Sequence, residues 1–394
     1  MNLRELFYNH IAQTSDEPLA IDIERAEGVM LYGSNSKRYI DLISGVSVSN
    51  VGHCNPEVVQ AIQTQAAKYM HLMVYGEIVQ SPQVLYAQAI TEILPAHLNS
   101  VYFVNSGSEA IEGAIKLAKR YTNRTEILSC QNAYHGCTNG AMSVMGCDDF
   151  TANFRPLLPD CHRIRHGKTE DIELITEKTA AVLIEIVQGE AGIRTASKEY
   201  WKKLREKCNQ TGTLLMFDEV QTGFGRTGTM FAFEQIGIEP DVLVLAKSLG
   251  GGMPLGAFVA DKTLMNCFTH NPVLGHITTF GGHPVCCAAG LAALNVIKKE
   301  KLYEQVQQKS DLFVHFIEKM PHVKSIRCCG LMIAVDFEDK EFNFKVVKKT
   351  VEAGLLTDWF LFCDTALRIA PPLIINEKEI EEACKILNQV LKEL

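Results

Sequence analysis

The sequence predicts an α/β fold: a large domain with a mostly parallel central sheet flanked by helices, joined to a smaller α+β domain. Three observations carry this. Five short apolar runs, "SVYFVN", "TEILSC", "AAVLIEIV", "TLLMFDEV" and "DVLVLA", are continuous and do not alternate with polar residues, as suits strands covered on both faces. From about residue 55 these runs alternate with segments of helical spacing. After "CCAAGLAALNVIKKE" the character changes to amphipathic helices mixed with "LMIAVDFE" and "ALRIAPPLII".

Taken in order, "GVMLYGSNSKRYIDLISG" reads as two short strands around a polar turn at Asn35-Ser36. "NPEVVQAIQTQAAKYM" and "SPQVLYAQAITEIL" read as helices, each opened by a cap-like Asn or Ser followed by Pro. The apolar runs then supply the sheet. "SVYFVNSGSEAIEGAIKLAKR" places a strand end at Asn105, a small polar turn, and a helix from near Glu109. The expected division is an N-terminal segment, 1–47, contributing to the small domain, a large domain at 48–290, and the small domain proper at 291–394. No repeat, low-complexity stretch or long linker interrupts it.

At 394 residues, with 47% hydrophobic and 21% charged residues, the composition is that of a globular protein of about two domains. A formal charge of −8 gives no electrostatic reason to bind nucleic acid or an anionic membrane. No apolar run approaches a membrane span, and "MNLRELFYNHIAQTSDE" lacks the apolar centre of a signal peptide. Thirteen scattered cysteines without a CxxC pair suggest a reducing compartment and no metal site. The expected location is cytoplasmic.

Two strand ends carry unexpected charges. "LLMFDEVQTGFGRTG" sets Asp218 and Glu219 where a core strand should continue, and "DVLVLAKSLGGGMPLG" ends another strand on Lys247. Either alone reads as a strand running out into water. Together they suggest one cleft, because ligands of such sheets bind at the carboxyl ends of the strands. Ser106, Gly107 and Ser108 open a helix, where free N–H groups and the positive dipole end suit an anion, although the same turn also suits plain capping. There is no GxxxxGK[ST] and no GxGxxG after a strand. A phosphate cup, a lysine for an aldehyde and an acid for a pyridine nitrogen together suit pyridoxal 5'-phosphate.

The motifs "NSGSEA", "YHG", "IEIVQGEAG", "FDEVQTGFGRTG", "LAKSLGGGMPLG" and "HITTFGGHP" make the chain resemble the class III pyridoxal-phosphate aminotransferases, most closely the ornithine and acetylornithine enzymes. The likeness covers nearly the whole sequence. It implies a fold type I pyridoxal-phosphate transferase, with 48–290 as the cofactor-binding domain. It also implies a ping-pong transfer of an amino group from an amine or amino acid to a 2-oxo acid, an ornithine-like donor being one possibility. An ω-amino acid or amine:pyruvate transaminase of the same class is the alternative; an aminomutase or a non-catalytic pyridoxal-phosphate binder fits less well.

Carried over, the resemblance makes Lys247 the catalytic lysine, which bonds the cofactor as a Schiff base and then moves the proton. Asp218 pairs with the pyridine nitrogen, Gln221 with the ring oxygen, and Val220 and Tyr134 cover the two ring faces. Gly107 and Ser108, beside Ser106, hold the phosphate, and Thr279 reaches it across a homodimer interface. Glu185 lines the site. Glu190 pairs with Arg368, which is released to hold an α-carboxylate. Glu219 is expected to be structural, paired with a cation such as Arg226, and His135 and His283 to be hydrogen-bonded structural histidines, not bases or ligands, since Lys247 is already the base. The chain departs from the family at two points. Cys137 in "AYHGCTNG" stands where the relatives carry a carboxylate-binding arginine. A thiol cannot make that two-pronged contact, so the substrate-binding set of Glu190, Arg368 and Cys137 leaves the donor open. The family's aromatic residue at the substrate entrance also has no counterpart in "QTSDEPLAID".

Overall fold

The computed structural model describes residues 2–34 and 37–394; the turn expected at Asn35-Ser36 lies outside the described residues. At its centre is a seven-stranded sheet. Numbered along the chain, its strands are β1 (Ser100–Val104), β2 (Glu126–Cys130), β3 (Cys161–Ile164), β4 (Thr179–Ile184), β5 (Leu214–Asp218), β6 (Val242–Leu245) and β7 (Gly256–Ala260). Their spatial order is β1-β7-β6-β5-β4-β2-β3. Strands β2 to β6 pair in parallel, and β7 runs antiparallel to both β1 and β6. All five apolar runs form strands. β4, β5 and β6 are buried along their whole length, which is why their sequence shows no alternation. β3 and β7 carry no comparable signal: "CHRI" is half polar and "GAFVA" consists mostly of small residues.

Helices cover both faces. Helix Pro56–Lys68 starts as expected, with Asn55 accepting from the Glu57 N–H at 3.0 Å and Pro56 in the first turn. Helix Ser81–Thr91 differs, since Gln80 occupies the cap position without a side-chain bond and Ser81 is already helical. Helix Lys198–Thr211 is capped by Ser197 and ended by Gly212 in the left-handed region. It buries Tyr200, Trp201 and Leu204, and the Trp201 ring meets Phe217 of β5 edge-on at 5.7 Å. Full burial of each such side chain contributes about 1.5–3 kcal/mol, which fixes β5 in the layer beneath.

The remaining strands form two four-stranded sheets. One, of Ser325–Cys329, Met332–Asp336, Asp358–Phe360 and Cys363–Ile369, is antiparallel. In the other, Arg38–Asp41 pairs in parallel with Leu355–Leu356, so that a strand from near the start of the chain lies beside one from its last forty residues. Arg226 ties this region to the central sheet. Its fully buried guanidinium donates to the carbonyls of Leu331 and Pro371, to Asn50 Oδ1 and to Ser44 Oγ.

The expected Glu219–Arg226 pair therefore does not form. Glu219 accepts from the N–H groups of Ala232 and Phe233, both at 2.8 Å, and from Thr222 Oγ1 at 2.9 Å. A buried carboxylate is satisfied by donors as well as by a cation, and these donors are local. Among the described residues no helix is long and apolar enough to cross a membrane.

Candidate active site

β5 and β6 are neighbouring parallel strands, with Asp218 in register with Val244. Their carboxyl ends therefore deliver Asp218 and Lys247 to the same edge of the sheet. Lys247 follows β6 at the first position of a 3₁₀ turn, with φ of +51°. A non-glycine residue in that region is held there by its surroundings, at a cost of order 1–3 kcal/mol. Its amine makes no hydrogen bond or ion pair with the described residues. Burial lowers its pKa and the Arg368 charge adds to that, while Glu190, Asp218 and Glu185 oppose them.

Asp218 is held by both oxygens. Oδ1 accepts from the Val220 N–H at 2.9 Å and Oδ2 from His135 Nδ1 at 2.6 Å. The imidazole is buried, and burial opposes its charge. The bond to Asp218 and the nearby carboxylate charges outweigh that and raise its pKa. His135 is hydrogen-bonded, as a structural histidine should be; the sequence does not say that its partner is Asp218. Eighty-three residues separate the two, and no spacing rule in the sequence links them. His283 lies elsewhere, its ring stacked 5.8 Å from that of His71.

Helix Gly107–Thr122 begins two residues earlier than the sequence suggests, because Ser106 is its cap, accepting from the Glu109 N–H at 3.2 Å. The N–H groups of Gly107 and Ser108 occupy the first helical turn, where the helix itself offers no acceptor. A Cβ on Gly107 would lie 3.2 Å from Val220 Cγ1, so the glycine lets the helix start and the loop after β5 approach closely. Gly136, at φ +123°, brings the Tyr134 turn against the helix start; a Cβ there would lie 2.1 Å from Ser108 Oγ.

A cavity of about 510 Å³ joins these groups: Ser106, Gly107, Ser108, Tyr134, His135, Glu185, Glu190, Asp218, Val220, Gln221 and Lys247 all line it. Glu185 fastens two loops, accepting from the Tyr134 N–H at 3.1 Å and the Gly189 N–H at 3.0 Å. Burial, with Asp218 adding to it, pushes its pKa up to about 7. Glu190 and Arg368 form a buried ion pair, Oε2 to Nη2 at 2.7 Å. The same Nη2 donates to the Trp359 carbonyl at 2.9 Å, whereas the buried Nη1 has no partner among the described residues. Two candidates stand apart. Thr279 is exposed and does not line the cavity. Cys137 is exposed beside it, with its Sγ 3.2 Å from Tyr134 Oη and its N–H on Ser108 Oγ at 3.2 Å.

These groups fit pyridoxal phosphate. Two N–H groups without a partner among the described residues suit a phosphate, a half-buried amine without one suits an aldehyde, and a fixed carboxylate suits a protonated ring nitrogen. The family profile "Aminotransferase class-III" matches residues 11–391. The chain belongs to the class III aminotransferases. It is 39% identical over 389 residues to the acetylornithine aminotransferase of Methanocaldococcus jannaschii, covering 95% of this chain and 94% of that one. Its fold superposes on a transaminase from the marine bacterium Virgibacillus with a TM-score of 0.93 and 28% identity, covering 99% and 98% of the two chains. An ornithine aminotransferase of Toxoplasma gondii, described with partial occupancy of pyridoxal phosphate at its active site, gives 0.90 and 28%, covering 98% and 93%. As a class III aminotransferase the protein uses pyridoxal phosphate and moves an amino group to a 2-oxo acid.

Proposed function

We propose that the cavity at the ends of β5 and β6 is the aminotransferase site and that each of its groups has a separate task. Pyridoxal phosphate, when bound, supplies an aldehyde that takes up the amino group and a ring that withdraws electrons from the substrate carbon. Lys247 Nζ holds and moves the proton, a task suited to an amine whose pKa burial has lowered. Asp218, oriented by His135 and Val220, keeps the ring nitrogen protonated. Gly107 and Ser108 hold the phosphate with backbone N–H groups, Ser106 shapes that turn, and Gln221 binds the ring oxygen. Val220 and Tyr134 enclose the ring and exclude water. Arg368 holds the α-carboxylate once Glu190 releases it. The observation that carries the assignment is the unpartnered Lys247 amine sharing one cavity with the doubly anchored Asp218. Borohydride reduction of the holoenzyme followed by peptide mapping should leave the cofactor on Lys247; the adduct on any other lysine would overturn it.

The substrates follow from the two ends of the site. Arg368 suits an amino acid or 2-oxo acid, and an ornithine- or acetylornithine-like donor is suggested by the named relatives. The thiol of Cys137 favours the second reading, an amine or ω-amino acid donor with pyruvate as acceptor, because it offers a second carboxylate no cation.

We infer further that the active form is a homodimer, with Thr279 completing the phosphate cup of a second copy. Support comes from exposed apolar side chains on two adjoining segments. Met70, Leu72 and Met73 lie on one and Ile277 and Phe280 on the other, and the rings of His71 and Phe280 meet at 4.6 Å. Residues 1–47 and 291–394 act as one unit against 48–290, a division supported by the pairing of Arg38–Asp41 with Leu355–Leu356. Thirteen free thiols support a cytoplasmic location.

A further inference from the structure

The wall around Cys137 has a chemistry of its own. Tyr134 lines the cavity and its hydroxyl meets the Cys137 thiol. Beside it stands Phe362, with ring centroids 6.5 Å apart, and Phe150 packs edge-on against Phe362 at 5.2 Å. Phe150 is 40% exposed and Phe362 and Tyr134 are half-buried. The three rings thus form an aromatic face that is only partly covered.

This face is held to the catalytic end of the cavity. The Phe362 N–H donates to the Glu190 carbonyl and the Leu361 N–H to Glu190 Oε2, both at 3.0 Å. Glu190 in turn pairs with Arg368, whose Nη2 also holds the Trp359 carbonyl. The Trp359–Phe362 segment is therefore pinned between the α-carboxylate anchor and the aromatic rings. The nearest arginines along the chain from Phe150, Arg155 and Arg163, both pair with Asp148, at 3.1 and 3.0 Å. Neither is a free cation that could take the place of the missing arginine.

We propose that Tyr134, Cys137, Phe150 and Phe362 receive the substrate side chain and select an uncharged apolar group, best an aromatic one, over a second carboxylate. The proposal rests on the aminotransferase reading with Arg368 as the α-carboxylate anchor, and it names the substrate class of that site. A carboxylate against this face would be desolvated without a partner. An aromatic ring would find offset and edge-on contacts there.

The test uses the purified holoenzyme with phenylpyruvate, pyruvate and 2-oxoglutarate as acceptors from one amine donor. The wild type should give a higher kcat/KM with phenylpyruvate than with 2-oxoglutarate. Phe362→Ala should lower the phenylpyruvate-to-pyruvate ratio by roughly fivefold or more, through KM rather than kcat. Phe150→Ala, at the exposed rim, should lower it in the same sense and guards against misfolding of the first variant. If pyruvate is turned over but the ratio does not move in either variant, or 2-oxoglutarate is preferred in the wild type, the aromatic assignment is overturned while the aminotransferase reading stands. If no 2-oxo acid accepts the amino group, both fail.

Discussion

Asp218 has both carboxylate oxygens fixed before any ligand arrives, one by the Val220 N–H and one by His135 Nδ1. Only an anion at that position holds a positive charge on a ring nitrogen. Asp218→Asn should therefore fold and bind cofactor but lose about 100-fold or more in rate; near-wild-type turnover would remove the residue from the mechanism. Lys247 allows a test by pH. Burial lowers its pKa from 10.5, so at any pH below that value a larger fraction is neutral and able to attack an aldehyde. The rate at which apoprotein takes up pyridoxal phosphate should rise with pH to a midpoint below 10.5. A midpoint at or above that value would contradict the burial argument. At Cys137 the change runs the other way. A charge-assisted hydrogen bond contributes roughly 1.5–3 kcal/mol, so Cys137→Arg should raise the preference for 2-oxoglutarate over pyruvate by about tenfold or more, measured as a ratio of kcat/KM values.

At the level of elements, the site depends on one helix start and one strand end being pressed together. The Tyr134–Cys137 turn reaches the first residues of helix Gly107–Thr122 only because Gly136 has no side chain. Gly136→Ala would place a carbon on Ser108 Oγ and strain a positive-φ position. It should weaken pyridoxal phosphate binding by displacing the phosphate cup, read as a raised dissociation constant with little change in melting temperature. The loop after β5 depends on Glu219 in a similar way. Its three donors surround a carboxylate, and an amide would turn an N–H toward at least one of them. Glu219→Gln should destabilise by roughly 1–3 kcal/mol, seen in chemical denaturation, and unaltered stability would show that the loop repacks.

Over the whole molecule, buried ionisable groups set the response to pH. His166 lies against Trp201, with its Nε2 3.1 Å from the Glu185 carbonyl oxygen, and burial lowers its pKa to about 4. The unfolded chain takes up this proton near 6.5 and the folded chain does not. Its contribution is thus complete above 6.5 and lost as pH falls toward 4. The stability of the wild type relative to His166→Gln should drop by about 2 kcal/mol between pH 7 and pH 5; a constant difference would mean that the folded ring titrates normally. Assembly is the other property of this scale. Sedimentation should give a dimer, and Phe280→Asp, on the exposed apolar face, should yield a monomer with weakened cofactor binding. A fully active monomer would reassign Thr279.

The sequence by itself pointed to the reaction class through six short motifs that resemble one family in order and spacing, and to the cleft because strand ends and helix starts are written locally. Five uninterrupted apolar runs place the buried strands, and Asp218, Lys247 and Ser106–Ser108 follow directly from where those runs stop. It also exposed the departure at Cys137, since a single residue in a motif can be read without a fold. Pairings between distant segments were not legible. Hydrophobic periodicity says which face of an element is buried, not which element meets it. His135 behind Asp218, Arg226 on the carbonyls of Leu331 and Pro371 in place of Glu219, and the aromatic face of Tyr134, Phe150 and Phe362 all join residues far apart along the chain. Only the packing of the layers decided those contacts, because hydrogen bonds and ring contacts reach a few ångströms in space regardless of separation in sequence.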